Sequence, residues 1–289
     1  MKKALTFLLL AALLATPLVG CHKDDSDEPA KTTTENNANT IPEYNAADAN
    51  PASDFEYKVR EDGGITITKY IGEDETVVIP QNIDGKEVTL IGERAFAGTS
   101  ILSVAMPDTI LYIASYAFYG CKQLKTVRFG DNIQLILDEA FYDCESMESV
   151  ILPKNLKELG QYAFGNCLAV QKIWIPKTVE KWGWSPFIGN ISVKEIIFED
   201  GLKKIGSYGA FTGCQVEVLR IPASVESIAD IAFTAFPNLK EVYFDGAAPT
   251  VGGDVFATPE QGVKIYYNPS MPGWDTTLLR DVYTLVPKS

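Results

Sequence analysis

Histidine occurs once in this 289-residue chain, at position 22, in a polar stretch. Beyond it there is no imidazole for a Ser-His or Cys-His nucleophile pair, for a His-ligated zinc, or for the commonest general base. Acidic side chains are the remaining candidates. Glu73, Asp74 and Glu75, and Glu199 with Asp200, could be imagined as the two carboxylates of a glycan hydrolase. Both groups sit in turn-like stretches, where solvated charge is the commoner reading. Cys121, Cys144 and Cys167 stand 23 residues apart, and Cys214 holds the same place two copies later. Ligands for a metal must converge from several directions, whereas these point the same way. Parallel, in-register side chains also make poor disulfide geometry. The four are expected to be unpaired, small buried hydrophobes. No phosphate-binding glycine loop and no D-x-D-x-D-G calcium loop is present. The expectation is a protein without catalytic residues, metal or cofactor.

The cysteine interval belongs to a longer pattern. Phenylalanine recurs at 96, 118, 141, 164, 187, 211, 233 and 256, at spacings of 22 to 24. Alanine precedes it in six copies; Pro186 and Val255 stand there in the other two. Upstream comes an apolar residue, then Ile or Leu, often with Gly, as in Leu156, Leu159-Gly160 and Leu202, Ile205-Gly206. Downstream runs an L-x-x-V-x-F/I segment, as in Leu124, Val127, Phe129 and Val193, Ile196, Phe198. Proline closes it at 107, 153, 176 and 222. The alternation of Val127 and Phe129 reads as a short strand with one buried face. The proline cannot donate to a ladder and ends it. A period near 23 lies in the leucine-rich-repeat range. One such coil cannot bury both its walls, but a stack of coils can. The expected fold is a β-rich leucine-rich-repeat solenoid with a parallel sheet on one face.

These motifs resemble the BspA-like leucine-rich repeats of bacterial surface proteins, with their I-P…I-G-x-x-A-F-x-G-C pattern. The resemblance runs over residues 55–289. Asp62 to Ile67 and on through Ile79-Pro80 looks like that family's N-terminal opening, giving a cap over 55–90. Val263 to Tyr267, with Gly273-Trp274, looks like its close, giving a cap over 260–289. The resemblance implies surface display and adhesion to host or neighbouring-cell ligands, and it names no ligand. The copy Lys181-Trp182-Gly183-Trp184-Ser185-Pro186-Phe187 departs most, and Gly209 is read as an extra residue forming a bulge.

Ahead of the repeats, residues 1–20 have the form of a signal peptide: Lys2 and Lys3, then an apolar run from Ala4 to Ala15 too short to span a bilayer. Leu18-Val19-Gly20-Cys21 resembles the bacterial lipoprotein box, which implies lipidation of Cys21 and attachment by acyl burial. Residues 21–54, rich in Asp, Asn, Thr, Ala and Pro, are expected to be a flexible tether spanning roughly 30 Å. Cys21-His22-Lys23-Asp24-Asp25 resembles the signal that carries some Gram-negative lipoproteins to the outer face of the outer membrane; a solvated charge run is the alternative. The net charge is −13, or −15 once Lys2 and Lys3 leave with the leader, which argues against nucleic acid as a partner.

If Val127 and Phe129 point inward, the residue between them points out. The same step in each copy gives the column Arg128, Ile151, Trp174, Ile197, Arg220, Tyr243, Tyr266, roughly 30 Å long at about 4.8 Å per strand. Beside it runs Thr126, Ser149, Lys172, Glu195, Val218, Glu241, Lys264, with Lys172–Glu195 and Glu241–Lys264 placed for cross-strand pairing. Exposed Ile, Trp and Tyr edged by Arg have the composition of an interaction surface for an extracellular protein or glycan. Simple stacking between neighbouring strands is the alternative. Other functional readings are a carboxylate-dependent glycan hydrolase and a self-associating surface coat.

Overall fold

The V-x-F/I segments form strands because each places alternate apolar side chains on one side and a proline or turn residue at its end. In the computed structural model, which describes residues 43–256 and 262–288, these strands are Ser103–Ala105, Thr126–Arg128, Ser149–Ile151, Lys172–Ile175, Glu195–Phe198, Val218–Ile221, Glu241–Phe244 and Lys264–Tyr267. They pair in parallel in three groups, Thr76–Val78 to Thr126–Arg128, Ser149–Ile151 to Glu195–Phe198 and Val218–Ile221 to Thr284–Pro287, with a 23-residue register at, for example, Val150 with Ile173 and Ile173 with Ile196. The chain winds as a β-solenoid of about nine turns. The parallel ladder on one face is as expected. A second parallel ladder, of two-residue strands, stands on the opposite wall: Tyr112–Ile113, Leu135–Ile136, Glu158–Leu159 and Lys181–Trp182, then Lys204–Ile205, Ser227–Ile228 and Thr250–Val251. A strand of two residues has a single inward side chain, so it leaves no alternation to read.

The A-F pair lies in a tight turn between the two ladders. The residue two before the Phe and the residue two after it both take left-handed backbone: Glu139 and Asp143 flank Phe141 (φ 52° and 59°), and Ile231 and Ala235 flank Phe233 (φ 45° and 54°). That double reversal drives each Phe inward. The eight rings form one continuous stack, with centroids 4.7 Å apart from Phe96 to Phe118, 4.8 Å to Phe141 and 5.0 Å to Phe164. The wider steps, up to 5.8 Å between Phe164 and Phe187, follow toward the C-terminal half. Tyr70 continues the stack at one end (5.3 Å from Phe96), and Tyr283 meets Phe256 edge-on at the other.

The ends are closed differently. Phe55–Val59 pairs antiparallel with Ile65–Tyr70, which hands on to Lys86–Ile91 in parallel. The folded part begins earlier than residue 55, the boundary expected for the tether. Tyr44 Oη donates to the Ile79 carbonyl (2.9 Å), and two short 3-10 turns, Ala46–Asp48 and Ala52–Asp54, follow. Asn50 is buried between them. Its backbone N–H donates to Val78 O (2.9 Å), and its side-chain Oδ1 accepts from Val78 N (2.8 Å), so one residue caps Val78 on the open edge of Thr76–Val78, the strand that pairs in parallel with Ser103–Ala105. At the other end Trp274 is buried with Nε1 donating to Gly246 O (3.1 Å), and Thr284–Pro287 adds a last parallel strand. The leader, Cys21 and the tail up to residue 42 lie outside the described residues.

The departure of the fifth copy has a structural counterpart. The opposite ladder is interrupted between Lys181–Trp182 and Lys204–Ile205, and the long-strand ladder between Glu195–Phe198 and Val218–Ile221, as it also is earlier between Thr126–Arg128 and Ser149–Ile151. Gly209 is not the bulge: it fills the left-handed site (φ 67°) that Glu139 and Tyr162 fill in other copies. The extra residue is taken up at Gly206, whose φ is +72°. Tyr208 O then accepts from Ser185 N (3.1 Å), as Gln161 O accepts from Glu139 N (2.8 Å) two turns earlier. Phe211 therefore keeps its place in the stack despite the insertion.

Candidate ligand-binding face

The ladder brings the seven column residues onto one surface. Ala105 pairs with Arg128, Ile151 with Trp174, Trp174 with Ile197, Arg220 with Tyr243, and Tyr243 with Tyr266. Their inward neighbours Val127, Val150, Ile173, Ile196, Leu219, Val242 and Ile265 are buried. The outward ones are less open than an isolated surface side chain. Only Arg220 is exposed; the other six are half-buried, because each leans on its neighbours in the adjacent strands.

The two ends of the face differ chemically. Arg128 is engaged by its own chain: Nη1 donates to Met106 O (2.7 Å), stands 3.5 Å from Asp108 Oδ1, and the guanidinium lies 5.7 Å from the Tyr44 ring. The middle is apolar, with Trp174 between Ile151 and Ile197. Toward the C-terminal end the Arg220 guanidinium stacks 4.7 Å from the Tyr243 ring, and Tyr243 stacks on Tyr266 at 4.6 Å. In the neighbouring column, Lys172 pairs with Glu195 (3.1 Å) as expected. Glu241 does not take Lys264. It accepts from Tyr243 Oη (2.9 Å) and Tyr266 Oη (3.3 Å), since two hydroxyls on the same face lie closer to it than a flexible ammonium. Burial, then the hydrogen bond to Glu241, pushes the Tyr243 hydroxyl above the usual tyrosine pKa; burial and the Glu241 charge do the same at Tyr266. Both stay neutral donors.

The four cysteines are free and buried, as the spacing implied. Each of the first three thiols donates to the carbonyl of the Phe one turn earlier: Cys121 to Phe96 (3.0 Å), Cys144 to Phe118 (3.3 Å) and Cys167 to Phe141 (3.2 Å). Burial raises the pKa of Cys167 to about 12 and that of Cys214 strongly, so neither is a thiolate at neutral pH. Asn190, which replaces cysteine in the fifth copy, uses its Oδ1 to accept from Cys167 N (2.9 Å). Among the carboxylates considered as catalytic, Asp74 accepts from the buried Asn50 (2.9 Å) beside a shallow depression edged by Tyr70, Glu73, Glu75 and Thr99. Glu199 holds Lys177 through its N–H (2.9 Å) and its ammonium (3.2 Å). Among the described residues no cluster of His, Cys, Asp or Glu could hold a metal ion.

Two surface features escaped the sequence reading. Trp184 and Tyr208, 65% and 59% exposed, occupy corresponding places in consecutive turns at the start of the A-F turn. Tyr119 and Tyr142 stack along the same edge at 5.6 Å. Their only signal was recurrence three residues before, or one after, the ladder Phe. The other feature is Tyr44 on Arg128, a contact between residues 84 apart that no local pattern announces.

A sequence profile for the BspA type Leucine rich repeat region matches in six copies, over residues 89–209 and 185–272. A search of curated protein sequences finds no match. Among solved structures, the T. pallidum leucine-rich repeat protein is 28% identical with a TM-score of 0.61, over 66% of this chain and 90% of that one. A leucine-rich repeat protein from Bacteroides ovatus shares the fold at 21% identity and a TM-score of 0.52, over 74% of this chain and 70% of that one. The stacked A-F turns, the parallel ladder and the profile agree, and the chain belongs to the BspA-type leucine-rich-repeat family.

Proposed function

We propose that this protein is a binding and adhesion module displayed on the bacterial outer surface, held there through a lipid on Cys21, and that it recognises an extracellular protein or glycan with the outward face of its strand ladder. The leucine-rich-repeat solenoid is typically a non-catalytic, interaction-supporting fold, and its family is one of bacterial surface proteins. No helix among the described residues is long and apolar enough to cross a membrane. The observation that carries the reading is the register. It lines up Ile151, Trp174 and Ile197 in one group of strands and Arg220, Tyr243 and Tyr266 in the next, and aromatic and guanidinium groups dominate recognition energetics. The ligand is to be found by probing arrays of glycans and matrix proteins with the wild-type chain and with Trp174→Ala in parallel. Signals lost in the variant support the face; a wild-type signal that the variant retains in full at every spot contradicts it. The anchor has its own test. Cys21→Ala is expected to move the protein from the membrane to the soluble fraction, and retention in the membrane would refute the lipid.

A further inference from the structure

The A-F turns carry a chemistry unlike the rest of the surface. Take the seven segments that run from three residues before each ladder Phe to two after it, from Phe96 to Phe233. They hold six further aromatics and five carboxylates but one cation, Arg94. Arg94 is already engaged, 3.9 Å from Glu93 and with its guanidinium 4.4 Å from the Tyr116 ring. Elsewhere carboxylates are paired from turn to turn: Lys122 holds Glu145 (2.7 Å), Lys154 holds Asp131 (3.0 Å), Lys203 holds Glu226 (2.6 Å) and Lys240 holds Glu217 (2.9 Å). On the A-F edge, Asp138, Glu139 and Asp230 have no Lys or Arg partner among the described residues. Asp138 accepts from Gln161 N (2.7 Å) and Glu139 from Tyr116 Oη (3.2 Å), both neutral donors, so the charge of this edge is left uncompensated.

Backbone bonds set one row along the edge. Glu139 N donates to Gln161 O (2.8 Å), Tyr162 N to Trp184 O (3.0 Å), Ser185 N to Tyr208 O (3.1 Å) and Phe211 N to Ala232 O (2.9 Å). Asp138, Gln161, Trp184, Tyr208 and Asp230 therefore follow one another on successive turns. Trp184 and Tyr208 are 65% and 59% exposed, and their side chains have no ring, cation or hydrogen-bond partner among the described residues. Two open rings thus stand between exposed carboxylates, Asp138 at one end and Asp230 at the other. Four turn steps make the row about 19 Å long, the reach of about six residues of extended chain. The rings mark an interaction surface, and the charge selects its occupant. Anions are repelled, and a neutral ligand leaves the carboxylates unanswered. Guanidinium and ammonium groups pair with carboxylates and also lie over indole and phenol rings. Arg94 on Tyr116 is the same contact made within the chain.

We infer that the A-F edge docks an extended Arg- or Lys-rich segment of a partner protein, with its apolar stems and cations on Trp184 and Tyr208 and further cations at Asp138 and Asp230. This surface is separate from the outward column and independent of the ligand held there. The test titrates the purified chain with a labelled peptide of alternating arginine and serine, against the same peptide with glutamine in place of arginine, at low and high salt. The arginine peptide is expected to bind more tightly and to weaken as salt rises. The Trp184→Ala/Tyr208→Ala variant is expected to lose at least about tenfold in affinity, with its melting temperature unchanged. Asp138→Asn/Asp230→Asn is expected to weaken binding at low salt and to flatten its salt dependence. Glu87→Gln/Glu148→Gln, which removes the same charge elsewhere on the surface, is expected to bind as wild type. No binding of the arginine peptide, or equal binding of the glutamine peptide, overturns the ligand class. Equal weakening by the two carboxylate variants means attraction to an acidic molecule as a whole and overturns the site. Loss of the peptide in Trp174→Ala with full retention in Trp184→Ala/Tyr208→Ala moves it to the ladder face and overturns the site as well.

Discussion

Phe141 is fully buried and stacked on both sides, at 4.8 Å from Phe118 and 5.0 Å from Phe164. Truncating it removes one ring from a continuous column, and neighbouring turns tied by hydrogen bonds cannot collapse to refill the space. Phe141→Ala is expected to cost about 3–5 kcal/mol, read by denaturant unfolding. The flanking turns hold smaller, reversible strain. Ala235 is exposed with φ +54°, a conformation that disfavours any Cβ. Ala235→Gly is expected to stabilise by about 0.5–1 kcal/mol, and a loss of stability would mean that the left-handed site is wrongly assigned. The thiols report the same core. Cys121, Cys144, Cys167 and Cys214 are expected to react negligibly with a thiol reagent in the native state and fully after denaturation without reductant. A count unchanged on denaturation would mean disulfides. These residues were legible in the sequence because burial at a fixed period leaves a mark in residue type. Tyr70 and Tyr283, which close the stack, were not, because each occurs once and outside the repeat.

The strands show where that legibility stopped. The V-x-F/I ladder could be read because two inward positions two apart make an alternation. The opposite ladder could not, and its existence rests instead on close backbone approach. A Cβ on Gly160 would overlap the backbone of Leu137 and Asp138 in the preceding turn. Gly160→Ala is therefore expected to destabilise by about 1–3 kcal/mol, the usual cost of overpacking. The interruption after the fifth copy makes a second prediction at this scale. Ser227 N and Ala229 N donate to Lys203 O (3.2 Å) and Ile205 O (3.0 Å), while no corresponding bond joins Lys204 or Gly206 to the turn before. Amide hydrogen exchange at Lys204 and Gly206 is expected to be faster than at Ser227 and Ala229. Equal protection would mean that the second ladder is continuous. The sequence did mark this junction, through the extra residue and the Trp-Gly-Trp segment. It misplaced the bulge at Gly209 because a glycine at a left-handed site and a glycine at an insertion look alike without the backbone.

Over the whole molecule, a solenoid offers several long surfaces, and the question is which one binds. Outward parity alone picked the column from Arg128 to Tyr266. The structure adds that its N-terminal end is occupied by Tyr44 and Asp108, which leaves Ile151 to Tyr266 as the open part. The rival is the edge bearing Trp184 and Tyr208, more exposed than any aromatic on the ladder face. Exchanging Trp174 or Trp184 for Ala one at a time, and measuring both affinity for the array-identified ligand and melting temperature, separates the two. Trp174→Ala is expected to weaken binding by at least about 2 kcal/mol. Because Trp174 is half-buried between Ile151 and Ile197, it is also expected to lower stability by about 1 kcal/mol, within the range of cross-strand contacts. Trp184→Ala is expected to leave both unchanged. Normal binding by Trp174→Ala together with loss of binding by Trp184→Ala would contradict the account and move recognition to the A-F edge.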